Sequence, residues 1–149
     1  MSIFPTKILL ATDGSEEAAI AAHTATDVAG KTDSELHVVL VGLSGAYVGM
    51  GPPEIADIPP PRQEELDEEA RRLLDAQVKQ IEADGSTVAQ AHLRVGRPDE
   101  QIVALAEEIG AGLIVMGNRG LGGLRRLLMG SVSDSVVRHA HCPVLIVRT

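Results

Sequence analysis

Aromatic side chains are nearly missing from this chain of 149 residues, which has one phenylalanine, one tyrosine and no tryptophan. Single-stranded nucleic acids are commonly bound by stacking bases on aromatic rings, so the composition argues against such a platform. The net charge of −8 also argues against the broad basic face that a duplex requires. We therefore expect no nucleic-acid partner and a core built from valine, leucine, isoleucine and alanine.

Cysteine and long apolar runs are scarce as well. Cys142 is the only cysteine, which rules out an internal disulfide and favours a reducing, cytoplasmic location. No signal peptide is visible, and no apolar run approaches the ~20 residues that span a bilayer, so no membrane association is expected. The length predicts one globular domain, residues 1–149, with a sizeable core.

Apolar runs alternate with amphipathic segments along the chain. We predict strands at residues 7–12, 36–41, 88–95, 113–116 and 143–147, and helices from Ser15 to about Gly30, at 63–83, from Pro98 onward, and at 131–140. Strands that alternate with helices form a parallel sheet covered on both faces. The alternating pattern of residues 88–95 is typical of a strand near the sheet edge. Residues 42–61 contain four glycines and five prolines, which predicts a surface loop, either a lid or a plain connection.

A glycine-punctuated loop follows the fourth predicted strand. It runs from Gly117 through Gly120 to Gly130 and Ser131, and it contains Arg119 and two further arginines but no acidic residue. Glycines let backbone N–H groups approach a phosphate, and a helix start adds unpaired N–H groups with partial positive charge. We expect a helix to start at Gly130 and Ser131 and this loop to hold the phosphates of a nucleotide.

A second polar segment, Asp13-Gly14-Ser15, follows the first strand. Ligands of open parallel sheets bind outside the carboxyl ends of the strands. If the first and fourth strands are neighbours, both loops therefore meet in one crevice. Asp13 would then face a ribose or a phosphate-bound Mg²⁺ or Mn²⁺, or it would merely cap the first helix; the sequence leaves both readings open.

Several familiar motifs do not fit. Gly30-Lys31-Thr32 lacks the earlier glycine of a P-loop and ends a helix, no G-x-G-x-x-G follows the first strand, and no G-x-S-x-G is present. His139, His141 and Cys142 straddle a helix end and a strand start, so we interpret them as structural residues and not as metal ligands.

Three segments together resemble the ATP-binding branch of the universal stress protein family. They are Ile8 to Ser15, the G-x2-G-x9-G-S pattern from Gly117 to Ser131, and the ending Cys142 to Val147. The resemblance covers essentially the whole chain. It implies a single-domain, Rossmann-like α/β open sandwich whose five parallel strands have the order 3-2-1-4-5, which places strands one and four side by side.

The resemblance also implies ATP as the ligand and a set of nucleotide contacts. The residues that match the family's contacts are Thr12, Asp13, Gly14, Ser15, Val41, Met116, Gly117, Arg119, Gly120, Gly130, Ser131, Val132 and Ser133. It further implies a homodimer through the last strand, residues Val144, Leu145, Ile146 and Val147. An apolar edge strand of this kind also invites pairing with its copy on physical grounds.

The leading hypothesis is a cytoplasmic ATP-binding protein that acts in stress adaptation as a nucleotide-dependent regulator or sensor. No catalytic residue is predicted, because no general base is aimed at a γ-phosphate. One alternative is a slow Mg²⁺-dependent ATPase that uses Asp13 with Arg119 or Ser131. A second alternative is a structural or partner-binding dimer that binds no nucleotide.

Overall fold

A computed structural model describes residues 2–42, 62–118 and 126–148, except for the side chains of residues 126–130. Its elements in chain order are β1 (Lys7–Thr12), α1 (Glu16–Thr32), β2 (Glu35–Gly42), α2 (Gln63–Ala83), β3 (Val88–Val95), α3 (Pro98–Ile109), β4 (Leu113–Gly117), α4 (Arg126–His139) and β5 (Val144–Val147). The predicted loop at 42–61 lies, after Gly42, outside these residues. None of the helices in the described ranges is long and apolar enough to cross a bilayer.

The five strands form one parallel sheet of order β3-β2-β1-β4-β5. This confirms the predicted α/β fold and strand order, including the position of β3 at an edge. In the centre of the sheet, Ile8 of β1 pairs with Leu36 of β2 on one side and Leu113 of β4 on the other. The carboxyl ends of β1 and β4 therefore lie next to each other.

Helices cover both faces of the sheet. Ile8 and Leu10 of β1 pack into a cluster with α1 and α2, whereas Leu9 and Ala11 pack into a second cluster with α3 and α4. Side chains of a strand point alternately to the two faces, so a strand buried on both sides is apolar throughout. This arrangement explains the uninterrupted apolar runs of the central strands.

Helix α1 ends later than predicted, and the expectation that Gly30 ends it is wrong. The helix continues to Thr32, and Asp33 adopts the left-handed conformation at φ 56°, donating its N–H to the carbonyl of Ala29. Aspartate tolerates this conformation better than most residues. Thr32 supports the last turn by donating its hydroxyl to the carbonyl of Val28 at 2.6 Å.

Helix α4 begins at Arg126, so the expected start at residue 131 is also wrong. The four residues before Gly130 are arginine, two leucines and methionine, all good helix formers, and a glycine inside a helix costs only about 1 kcal/mol. Only the first four N–H groups of a helix lack an intrahelical partner. Gly130 and Ser131 lie beyond them, so their N–H groups are not the free amides of a helix start.

Candidate functional site

The crevice is predicted at the carboxyl edge of the sheet, between β1 and β4. Because these strands are adjacent and parallel, Asp13-Gly14-Ser15 after β1 and Asn118 after β4 leave the sheet at the same edge. Asn118 donates its N–H to the carbonyl of Val147 at 3.0 Å, which ties the beginning of the glycine loop to the end of β5. Adjacency of the two strands, on which the crevice depends, is thus confirmed.

Three of the predicted site residues share one apolar surface. Val41 of β2, Met116 of β4 and Val132 of α4 all belong to the cluster between the sheet and α3 and α4, and Ala11 of β1 joins them. Val41 and Val132 are only partly buried. No motif points to Ala11, because β1 is apolar throughout and its pattern does not distinguish the two faces of the sheet. Val41 and Val132 therefore offer aliphatic area that a ligand could contact, whereas Ala11 and Met116 are buried.

Thr12 lies apart from that surface. Its side chain points to the opposite face of the sheet, is 1% exposed, and donates its hydroxyl to Oε1 of Gln77 on α2 at 3.0 Å. The same oxygen accepts the N–H of Gly14 at 3.1 Å. The hydroxyl of Thr12 therefore joins β1, the following turn and α2.

Asp13 and Ser15 organise the start of α1. Oδ1 of Asp13 accepts the N–H of Ser15 at 2.9 Å, and Oγ of Ser15 accepts the N–H of Ala18 at 3.1 Å. Ser15 is thus the N-cap, and Asp13 forms the Asx turn before it. Asp13 thus has a structural role in the turn that precedes the cap, and its role toward a ribose or a cation stays a prediction.

Gly14 is held in a conformation that suits glycine. Its φ is +78°, and an added Cβ would lie 3.0 Å from Cβ and 3.1 Å from Cδ2 of Leu73 on α2. A side chain at this position would combine a strained backbone with a close contact. Gly14 therefore lets α2 pack against the turn that follows β1.

The predicted contacts on α4 differ in exposure. Ser131 is exposed, and Ser133 is buried. Gly130 lies in the backbone of the helix. Arg119 and Gly120 lie outside the described residues, so their part in the predicted site is not described.

A polar contact that the sequence analysis missed joins α4 to α3. Ser135 donates its hydroxyl to Oδ2 of Asp99 at 2.8 Å, and Nε of Arg97 donates to Oδ1 of Asp99 at 3.0 Å. Burial alone would raise the pKa of Asp99, but the Ser135 hydrogen bond, the charge of Arg97 and backbone N–H groups together lower it. The carboxylate therefore stays ionised. No local sequence signal links these residues, because Ser135 and Asp99 are far apart in the chain.

The histidines near the end of the chain have local partners. Nδ1 of His139 lies 2.8 Å from the carbonyl oxygen of Ser135, and Nε2 of His141 lies 2.9 Å from Oε1 of Glu107. Within the described ranges, no group of three or more histidine, cysteine, aspartate or glutamate residues could hold a metal ion.

Comparison with known proteins identifies the family to which this fold belongs. The model of the universal stress protein family matches residues 5–148. This chain belongs to that family. A universal stress protein of Methanocaldococcus jannaschii is 36% identical over 145 residues, which cover 95% of this chain and 81% of the relative. The family predicted from the three sequence segments is thereby confirmed.

Solved structures of family members share the fold. A universal stress protein in complex with cAMP is 25% identical, with a TM-score of 0.71 over 98% of both chains. The protein UspA from Lactobacillus plantarum is 26% identical, with a TM-score of 0.76 over 99% of this chain and 100% of the other. This universal stress protein therefore has the family's fold along essentially its whole length.

Proposed function

We propose that this universal stress protein binds an adenine nucleotide, ATP in the first place, at the carboxyl edge between β1 and β4, and that it acts as a cytoplasmic nucleotide-dependent regulator of stress adaptation. The proposal rests on one observation, which is that an apolar surface and a polar turn lie together at this edge. Val41 and Val132 are partly exposed members of an apolar cluster that also contains Ala11 and Met116, and the polar turn Asp13-Gly14-Ser15 directly follows β1. Binding pockets for small molecules combine apolar walls with a few polar groups.

The related structure that contains cAMP supports the ligand class. That ligand has an adenine, a ribose and a phosphate. In our proposal the adenine packs on the aliphatic surface, and the ribose and phosphates extend toward the glycine loop. ATP, ADP, AMP and cAMP share these parts, so the preference for ATP is the finer part of the proposal.

The proposed site contains all the residues that match the family's contacts. Thr12 contributes through its backbone, because its side chain is engaged with Gln77 on the other face. On α4 we assign the phosphate contacts to the hydroxyl of Ser131 and to the segment before Gly130, since the helix start lies at Arg126. The proposed residues are Thr12, Asp13, Gly14, Ser15, Val41, Met116, Gly117, Arg119, Gly120, Gly130, Ser131, Val132 and Ser133.

A divalent cation would accompany the nucleotide. Mg²⁺ is commonly held by one or two carboxylates together with phosphate oxygens and water, and Asp13 is the carboxylate at this edge. The described residues provide no three-residue cage, so Mg²⁺ or Mn²⁺ would arrive with ATP. Asp13 already stabilises the turn into α1, and we therefore propose binding as the function and not ATP hydrolysis.

We also propose that two copies associate through β5. This strand ends the sheet order, so its outer edge is not paired within the described chain. Leu145 of β5 and Val137 of the neighbouring α4 are 37% and 52% exposed. An apolar edge strand can extend its sheet by pairing with a second copy.

Isothermal titration calorimetry of the purified protein with ATP, ADP, AMP and cAMP tests the nucleotide proposal. Gly117→Ala adds a methyl group where the glycine loop leaves β4, and we expect at least about a tenfold loss of ATP affinity, or ~1.4 kcal/mol. The matched control is Gly30→Ala on α1, whose added Cβ meets nothing within 4 Å; it should leave the affinity unchanged. No binding by the wild type, or equal affinity in all three proteins, would refute the proposed site.

A further inference from the structure

The carboxylate of Asp99 links α3 and α4, the two helices on one face of the sheet. It lies in the first turn of α3 and is 9% exposed. Both oxygens are engaged, one by the hydroxyl of Ser135 on α4 at 2.8 Å and the other by Nε of Arg97 at 3.0 Å. Because the carboxylate is ionised and buried, the bond from Ser135 is charge-assisted and directional.

Other contacts of α4 with this face are apolar. Val132 and Val136 pack on the cluster that contains Ile102 and Leu105 of α3. Apolar contacts are non-directional, so they constrain the height of a helix less sharply than a hydrogen bond does. The hydrogen bond between Ser135 and Asp99 adds a directional constraint, because it fixes one residue of α4 against one residue of α3.

The constraint acts one helical turn away from the proposed phosphate contacts. Ser131 and Ser135 are four residues apart, so they lie on the same side of α4, separated by about 6 Å along its axis. A shift or rotation of α4 at Ser135 therefore moves the hydroxyl of Ser131 relative to the carboxyl edge.

We propose that the Asp99–Ser135 hydrogen bond is a positioning contact that sets the height and rotation of α4 against α3 and so places Ser131 for the nucleotide phosphates. Arg97 contributes indirectly, because its hydrogen bond holds the carboxylate of Asp99 in its orientation. The inference rests on the nucleotide-binding function proposed above, and neither Asp99 nor Ser135 touches the nucleotide.

Calorimetric titration with ATP tests the positioning role. Ser135→Ala and Asp99→Asn should each weaken ATP binding by about 3- to 10-fold, the range expected when part of one charge-assisted hydrogen bond is lost from the bound state. The double variant should bind no more weakly than the weaker single variant, because Ser135→Ala removes the same bond that Asp99→Asn deprives of its charge. Ser135→Thr keeps the hydroxyl and should restore most of the affinity.

The matched control uses an exposed pair on the same helix. Asp134 accepts from Arg138 at 2.7 Å, with both side chains more than half exposed. Asp134→Asn changes an aspartate on α4 without touching the contact with α3, and it should leave ATP affinity unchanged. An equal loss in this variant would show a general effect of charge on α4 and would overturn the inference.

Amide hydrogen exchange in the nucleotide-free protein separates this inference from the proposed function. Ser135→Ala should speed exchange in residues 131–138, and Asp134→Asn should not. If the wild type binds no adenine nucleotide, the proposed function fails, and the inference fails with it even where exchange rises. If the wild type binds ATP but Ser135→Ala leaves either affinity or exchange unchanged, the positioning role alone is refuted.

Discussion

The Thr12→Val substitution separates structural from binding residues at the carboxyl edge. The resemblance to the family includes Thr12 among the nucleotide contacts, but its buried hydroxyl donates to Gln77 and accepts from Gly14 on the far face of the sheet. Valine has nearly the same shape, so the substitution removes the hydroxyl without opening a cavity. It thus isolates the two hydrogen bonds.

The expected loss follows from the groups left behind. Oε1 of Gln77 is left without this donor in a residue that is 5% exposed, and the N–H of Gly14 loses its acceptor at a partly buried position. Each unsatisfied buried group costs about 1–3 kcal/mol. The partly buried amide contributes at the low end, so we expect a total of about 2–4 kcal/mol. For a chain of this size that lowers Tm by roughly 5–15 °C.

Urea and thermal unfolding, combined with ATP titration below the transition, measure the two effects separately. We expect Thr12→Val to lose stability while ATP affinity stays within about twofold of the wild type. Adding Gln77→Leu should recover part of the stability, because an apolar pair replaces both partners. The reasoning is refuted if Thr12→Val keeps the stability of the wild type but loses ATP affinity, since the hydroxyl would then act on the nucleotide.

Two further predictions concern pH and association. Burial, and then the neighbouring His37, lower the pKa of His92 below its ordinary 6.5, so the neutral form is favoured in the folded state. The free energy of unfolding should therefore fall as pH drops below about 6.5 toward the lower folded pKa. Urea unfolding measured from pH 8 to 5 should show that this free energy depends less on pH in His92→Gln than in the wild type. The exposed control His23→Gln should keep the pH dependence of the wild type. Leu145→Lys should convert dimers to monomers in light scattering, whereas Val95→Lys, on the opposite edge strand, should not.

The sequence predicted the elements that have a strong local signal. Helix α2 has the predicted bounds, Gln63–Ala83. Its apolar residues recur at helical spacing, and no other secondary-structure pattern competes in this part of the sequence. Strand β3 was placed at an edge because its pattern alternates, and the structure confirms this. The order of the strands, in contrast, came from the resemblance to the family and not from periodicity.

Helix ends and the two faces of a strand were harder to predict. Gly30 and Gly130 were both interpreted as boundaries, yet both lie inside helices, because the flanking residues favour the helix by more than one glycine costs. Thr12 could not be placed on a face from hydrophobicity, since β1 is buried on both sides. Helix α2 packs on that face and supplies Gln77, so its position determines the role of the Thr12 hydroxyl.

Contacts between distant polar residues carry no local signal at all. Asp99 and Ser135 meet only because α3 and α4 lie side by side. His37 and His92 likewise meet only because β2 and β3 are adjacent, with Nδ1 of the first 3.3 Å from Nε2 of the second. The sequence around each of these residues gives no indication of its partner, because each pair forms only through tertiary packing.

Titration of ¹⁵N-labelled protein with ATP, followed by backbone amide chemical shifts, tests the central claim most directly. We expect saturable shifts at the carboxyl edge, in Asp13, Ser15, Val41, Asn118 and Ser131. No comparable shifts are expected at the opposite edge, where the N–H of Thr6 donates to Ser34 and the N–H of Gly112 donates to Lys7. Saturable shifts centred on that opposite edge, or no shifts at millimolar ATP, would contradict nucleotide binding at the carboxyl edge.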